Sequence, residues 1–84
     1  EQWVRILGSR IRKVHIKDFR SAAAGLAGFV DLLAGDVNFP AVMAALSEIG
    51  YDDWITAEMG VYRHYPETIL QNTSAAMDKI LGRA

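Results

Sequence analysis

Two side chains in this sequence, His15 and Glu58, combine residue type and setting in the way that metal or proton chemistry requires. His15 falls in the alternating run Lys13-Val14-His15-Ile16-Lys17-Asp18-Phe19, where Val14 and Ile16 point one way and His15 and Lys17 the other. Glu58 falls in Trp54-Ile55-Thr56-Ala57-Glu58-Met59, on a face shared with Trp54 and Thr56 and opposite Ile55, Ala57 and Met59. An imidazole nitrogen and a carboxylate oxygen are a normal mixed donor set for Mn²⁺, Co²⁺, Mg²⁺ or Zn²⁺. Two ligands are not a site, so the remaining donors are expected from residues beyond these two strands. Read alone, a strand histidine also serves as a hydrogen-bonded packing residue, and an inward glutamate needs a partner because an unpaired buried charge is costly. Lys17 can meet a substrate oxygen or phosphate, or pair with a carboxylate in the wall of the fold. Asp18 can contact substrate or cap the loop that follows it.

The elements that position these residues alternate. Trp3, Val4, Ile6 and Leu7 give an apolar helical stripe that Gly8 stops. A first strand over Lys13–Phe19 is followed by a small, Ala- and Gly-rich stretch, 20–35, read mostly as a long loop. Asn38-Phe39-Pro40 opens a helix, with asparagine capping and proline in the first turn. Asp36 is expected to help cap it. The helix buries Val42, Leu46 and Ile49 with Met43 alongside, and Gly50 closes it. Tyr51-Asp52-Asp53 turns the chain into the second strand, 54–59. The last helix, Pro66 to Leu81, carries a stripe of Ile69, Thr73, Met77 and Ile80 flanked by Leu70 and Leu81. Strand–helix–strand with one connecting helix predicts parallel strands and a right-handed crossover. Two parallel strands do not make an independent sheet, so neighbouring strands must come from elsewhere.

Composition narrows the possible functions. With 84 residues, half of them apolar, and a net charge of −1, the chain reads as one small globular unit of mixed charge. No cysteine is present, which excludes a disulfide scaffold, a thiolate zinc site and a cysteine nucleophile, and fits a reducing, cytoplasmic setting. No apolar run approaches the roughly 20 residues that span a bilayer, so no membrane partner is expected. Arg5, Arg10, Arg12, Lys13, Lys17 and Arg20 crowd the first twenty positions, but no aromatic residues interleave with them to stack bases, so nucleic acid is not the expected partner either. Asn72-Thr73-Ser74 spells a glycosylation sequon in the middle of a helix and carries no weight there.

Three motifs, in order, carry a resemblance. His15-Ile16-Lys17-Asp18 resembles the strand HIKD of the sugar phosphate isomerase/epimerase family. Gly35-Asp36-Val37-Asn38-Phe39-Pro40-Ala41-Val42 resembles that family's helix start GDVDWPAV, and Gly50 to Glu58 resembles its final strand GYDGWLTAE. Ala34, Phe39 and Asp53 depart from the pattern, Ala34 standing where many members carry an acidic residue. The resemblance spans nearly the whole chain and points to the xylose isomerase-like TIM-barrel superfamily.

That resemblance implies an α/β fold: a partial (β/α)8 TIM barrel, its last two βα units preceded by the end of a helix, with residues 1–84 forming the C-terminal portion of a single barrel domain. It implies His15 as a divalent-metal ligand and Glu58 as both metal ligand and catalytic base, with Lys17 and Asp18 as substrate contacts. The implied reaction is proton transfer next to a carbonyl through an enediolate, on a small-molecule sugar or sugar phosphate. The remaining acidic ligands would lie on earlier strands, the isolated chain would be inactive, and open strand edges make a homo-oligomer the expected assembly. The rivals are a non-catalytic self-associating α/β unit and an endonuclease IV-like metal phosphodiesterase. The latter needs further His and Asp ligands just after the first strand, where residues 20–35 offer no histidine and only Asp31. The Tyr62-Arg63-His64-Tyr65 cluster after the second strand is expected to lie at a subunit contact or close over a ligand.

Overall fold

A computed structural model describes residues 1–23, 25–59 and 65–82. Residues 62–64 of the aromatic cluster and Ala24 lie outside the described residues. The chain opens with α1 (Gln2–Leu7), stopped at Gly8, whose positive φ of 53° glycine adopts without a Cβ penalty. Strand β1 (Val14–Ile16) leads into β2 (Asp18–Phe19), then a 3-10 turn over Gly25–Gly28 and strand β3 (Phe29–Val30). Helix α2 (Phe39–Glu48), strand β4 (Ile55–Ala57) and helix α3 (Pro66–Ile80) complete the order.

The parallel pairing expected from strand–helix–strand is present. β1 and β4 run parallel with Val14 opposite Ile55, His15 opposite Thr56 and Ile16 opposite Ala57. The ladder continues one step further, where Glu58 N–H donates to the Ile16 carbonyl at 2.9 Å. Both strands are shorter than the sequence suggests, because the sheet pairing ends where the chain turns away. After Ile16 the first strand leaves the sheet, and Asp18 and Phe19 pair antiparallel with Val30 and Phe29 instead. Period-two alternation continues through Lys17 without a break, so the sequence gives no sign of this change of partner.

One face of the β1–β4 pair is closed by helices. Ile16, Leu32, Phe39 and Ala76 form the buried cluster, with Val14, Ile55, Ala57, Met77 and Ile80 packed against it. Phe39, at the first turn of α2, is only 2% exposed, which gives this departure from the family motif a core role. Asn38 caps α2 through its side-chain oxygen, which accepts from Ala41 N–H at 3.1 Å. Within α2 the buried positions are Phe39, Ala45 and Leu46, while Val42, Met43 and Ile49 are half-buried. In α3, Ile69 and Ala76 are buried and Thr73, Met77 and Ile80 half-buried, but Leu70 points outward at 70% exposure. Its place one residue after Ile69 turns it about 100° away from the core side.

One helix-cap expectation needs correction, while the stretch 20–35 is mostly loop as expected and folds back on itself through the 3-10 turn and β3. Arg20 N–H donates to the Gly28 carbonyl at 2.7 Å, and an Arg20 guanidinium N–H donates to the Ala34 carbonyl at 2.8 Å. Glycine-rich composition hides this, because tight backbone packing leaves no apolar periodicity to read. Asp36 does not cap α2. Its carboxylate instead accepts from both the N–H and the hydroxyl of Ser21, each at 2.7 Å. Those two donors hold the Asp36 carboxyl below its ordinary pKa, with the nearby Arg20 guanidinium adding to the effect.

Candidate functional site

The second face of the β1–β4 pair is open. Alternation along the strands puts His15, Thr56 and Glu58 on it, and all three are exposed. His15 and Thr56 face each other in register, and Glu58 stands two residues past Thr56 towards the carboxyl end of the pair. Neighbouring strands about 4.8 Å apart, with about 3.3 Å of rise per residue, separate the His15 and Glu58 backbones by roughly 8 Å. An imidazole and a carboxylate reaching inward from that spacing can meet one ion or one substrate. Lys13 and Trp54 lie on the same side nearer the amino ends, Trp54 at 85% exposure. A hollow of ≈ 290 Å³ there is lined by Lys13, Val14, His15, Tyr51, Asp53, Trp54 and Thr56. Its floor is the start of the pair, so Glu58 stands outside it.

Asp18 occupies a different position. It is 1% exposed, and both of its oxygens are already engaged by main-chain donors. One accepts from Phe19 N–H at 2.9 Å and Val37 N–H at 3.1 Å. The other accepts from Leu33 N–H at 2.9 Å and Gly35 N–H at 3.0 Å. Four charge-assisted hydrogen bonds satisfy a buried carboxylate without a counter-cation. Of the two roles open to Asp18, substrate contact and loop closure, the geometry supplies the second. It also holds Leu33, the non-glycine residue with a positive φ of 73°, in a conformation that Cβ sterics disfavour. A Cβ at Gly35 would run into the Asp18 carboxylate and the Phe19 carbonyl, so the clamp requires glycine there.

Lys17 follows β1 two residues beyond His15 and is half-buried. Its ammonium rests 4.2 Å from the centroid of the Phe29 ring. Among the described residues the ion pair is Arg5–Glu48, at 2.7 Å between the first and second helices, and Lys17 meets a ring face in place of the carboxylate partner foreseen as an alternative. Phe29 is the residue that sequence reasoning missed. It sits in the glycine-rich stretch with no periodicity to mark it, and pairing with Phe19 is what brings it under Lys17.

The sequence profile described as Xylose isomerase-like TIM barrel matches residues 1–80. The chain belongs to that family. No curated protein and no solved structure matches it. In a TIM barrel, helices cover the outside of a parallel sheet and functional side chains gather at the carboxyl ends of the strands. The division of this chain into a helix-covered face and an open polar face agrees with that plan. No cluster of three or more metal-ligating side chains occurs among the described residues, so His15 and Glu58 are at most part of a ligand set. No helix among the described residues is long and apolar enough to cross a membrane. A second hollow, lined by Gly8, Ser9, Arg12 and Tyr51 to Asp53, lies at the amino ends of the strands, the end that barrel enzymes devote to stability.

Proposed function

We propose that this chain supplies the last two βα units of a (β/α)8 barrel, in a divalent-metal-dependent isomerase or epimerase of sugars or sugar phosphates. The observation that carries the reading is the shared open face of His15, Thr56 and Glu58 on a parallel pair whose other face is closed, with Glu58 just past its carboxyl end. Polar side chains placed there have no structural task that the helices do not already perform. The imidazole and carboxylate fit a hard or borderline divalent ion by donor type, with two or more further ligands on the strands that complete the barrel. Such an ion, when bound, supplies positive charge that polarises the carbonyl and hydroxyl oxygens of the sugar.

The chain's own residues supply the rest. Glu58 takes a proton from the carbon next to the carbonyl, which leaves an enediolate. For that task the carboxylate must be free of a structural partner, and an exposed position on the open face leaves it so. His15 fixes one side of the site at the strand opposite. Thr56, between the two, offers a hydroxyl to a substrate oxygen. Lys17 meets an oxygen or phosphate of the substrate from beyond His15, while Asp18 works indirectly by holding the loop. A second carboxylate outside this chain returns the proton, and its position decides between isomerase and epimerase. The phosphodiesterase reading is less well supported, since residues 20–35 contain no histidine to extend the ligand set.

The test is solvent exchange in the complete barrel protein with Mn²⁺: candidate ketoses and ketose phosphates are incubated in D₂O and the proton next to the carbonyl is followed. Glu58→Gln is expected to slow exchange about 10²-fold or more, as loss of a general base does. Exchange at the wild-type rate in this variant would remove Glu58 from the mechanism.

A further inference from the structure

Lys17 owes its position to a residue that neither the motifs nor the alternation pattern picks out. We propose that Phe29 is a positioning residue that holds the Lys17 ammonium at the carboxyl end of β1 as a ready contact for an anionic substrate group. The inference rests on the reading of that end as the substrate site, and it deepens that reading by naming an oxyanion, phosphate or carboxylate, as the feature recognised.

Three observations carry it. The first is the contact itself, with the ammonium 4.2 Å from the ring centroid and both residues half-buried. The negative face of an aromatic ring attracts a cation without cancelling its charge. A lysine paired with a carboxylate has already spent its charge, whereas one held over a ring keeps it for a ligand. The second is that the ring is itself fixed. Phe29 meets Phe19 edge to face, centroids 5.0 Å apart at 75°, and the two residues pair across β2 and β3. A Cβ at Gly28 would overlap the Phe19 ring, so glycine there is what lets the two rings approach. The third is the Asp18 clamp. The residue after Lys17 is pinned by four main-chain donors, one from its neighbour Phe19 and three from 33, 35 and 37, so backbone and ring are anchored to one another. A free lysine stem carries considerable rotamer freedom. Holding it in place beforehand reduces the entropy lost when an anion binds.

The experiment is ¹³C NMR of the chain with Lys13, Lys17 and Lys79 reductively methylated with a ¹³C label, which preserves their charge. The expected result is a Lys17 methyl signal shifted upfield by the Phe29 ring, moving saturably on titration with inorganic phosphate, while Lys13 and Lys79 move less. A parallel titration with acetate separates carboxylate from phosphate recognition. Phe29→Leu is expected to abolish the upfield shift and weaken the anion response at Lys17 about two- to fivefold, the worth of a cation–ring contact at a part-exposed site. Phe29→Tyr is expected to restore both. A wild-type Lys17 signal coincident with those of Lys13 and Lys79 would overturn the proposal, as would equal movement of all three or a Phe29→Leu affinity equal to wild type. If Phe29→Leu does not fold, the wild-type shift and its saturation decide the matter alone. The titration runs without metal, so a failure here with Mn²⁺ binding intact removes the role of Phe29 only. A failure of Mn²⁺ binding by the complete barrel protein with the Phe29 dependence intact removes the metal reading only.

Discussion

The two faces of one parallel strand pair divide the work of this chain. Val14, Ile16, Ile55 and Ala57 point towards Phe39, Ala76, Met77 and Ile80, where apolar area is removed from water. His15, Thr56 and Glu58, alternating with them along the same backbone, point into the open. Under the proposed function, stability and chemistry are separated by a single residue step. A register shift of one position would exchange them. The glycine-rich excursion between β1 and α2 belongs to neither face. It is held by its own hydrogen bonds around Asp18, and it carries Phe29 to Lys17.

If the division is real, substitutions on the closed face and in the clamp must cost stability, and those on the open face must not. The largest effect is expected from Asp18→Ala, which leaves four part-buried main-chain donors without their acceptor. Urea denaturation should show a loss of at least about 3 kcal/mol. Asp18→Asn should fall between this and wild type, because an amide keeps one accepting oxygen and turns donors towards the other pair. Ile16→Ala comes next, at about 2–4 kcal/mol by the same measurement, for the removed side chain and the cavity left in the core cluster. His15→Ala and Glu58→Gln are expected to change stability by no more than about 0.5 kcal/mol, as surface substitutions do. A loss above that would mean that the open-face residues are structural after all.

The smallest effect concerns pH. Asp36 is held below its ordinary pKa by the Ser21 donors, and Glu48 by the Arg5 guanidinium. Because both folded values are lowered, their contribution is present in full above the unfolded carboxylate range and is lost as pH falls through the lowered folded values. Thermal melts should thus be flat from neutral pH down to the ordinary carboxylate range and fall only below it. Ser21→Ala should remove the Asp36 share. Both carboxylates are exposed, so added salt should shrink the Glu48 share through screening. A melt that already falls between pH 7 and 5 would point to groups other than these.

Much of the division was legible in the sequence. The alternation of Val14, His15 and Ile16, and of Ile55, Thr56, Ala57 and Glu58, reports the two faces directly, because a strand's side chains have a period of two. Asn38 and Pro40 marked the start of α2 by capping chemistry that is local to the chain. The change of partner after Ile16 was not legible, since β2 continues the alternation of β1 while hydrogen bonding to a strand ten residues on. Asp18 left substrate contact and loop closure both open, and Asp36 looked like a helix cap, because both are short acidic residues beside turns. Which main-chain donors reach them depends on how residues 20–37 fold back, and glycine-rich segments encode that through the absence of side chains rather than their pattern. Phe29 was missed for the same reason. The further metal ligands of the proposed function would lie on other strands, beyond what these residues can encode.

The most direct test of the central claim is a Mn²⁺ titration of the complete barrel protein followed by paramagnetic broadening of the amide signals of this chain's residues, beside Glu58→Gln. The account predicts broadening centred on His15, Thr56 and Glu58, weakened in the variant, with Ile16 and the other closed-face residues affected only by distance. Broadening centred elsewhere, such as on Asp52 and Asp53 at the amino ends of the strands, or broadening unchanged in Glu58→Gln, would contradict it.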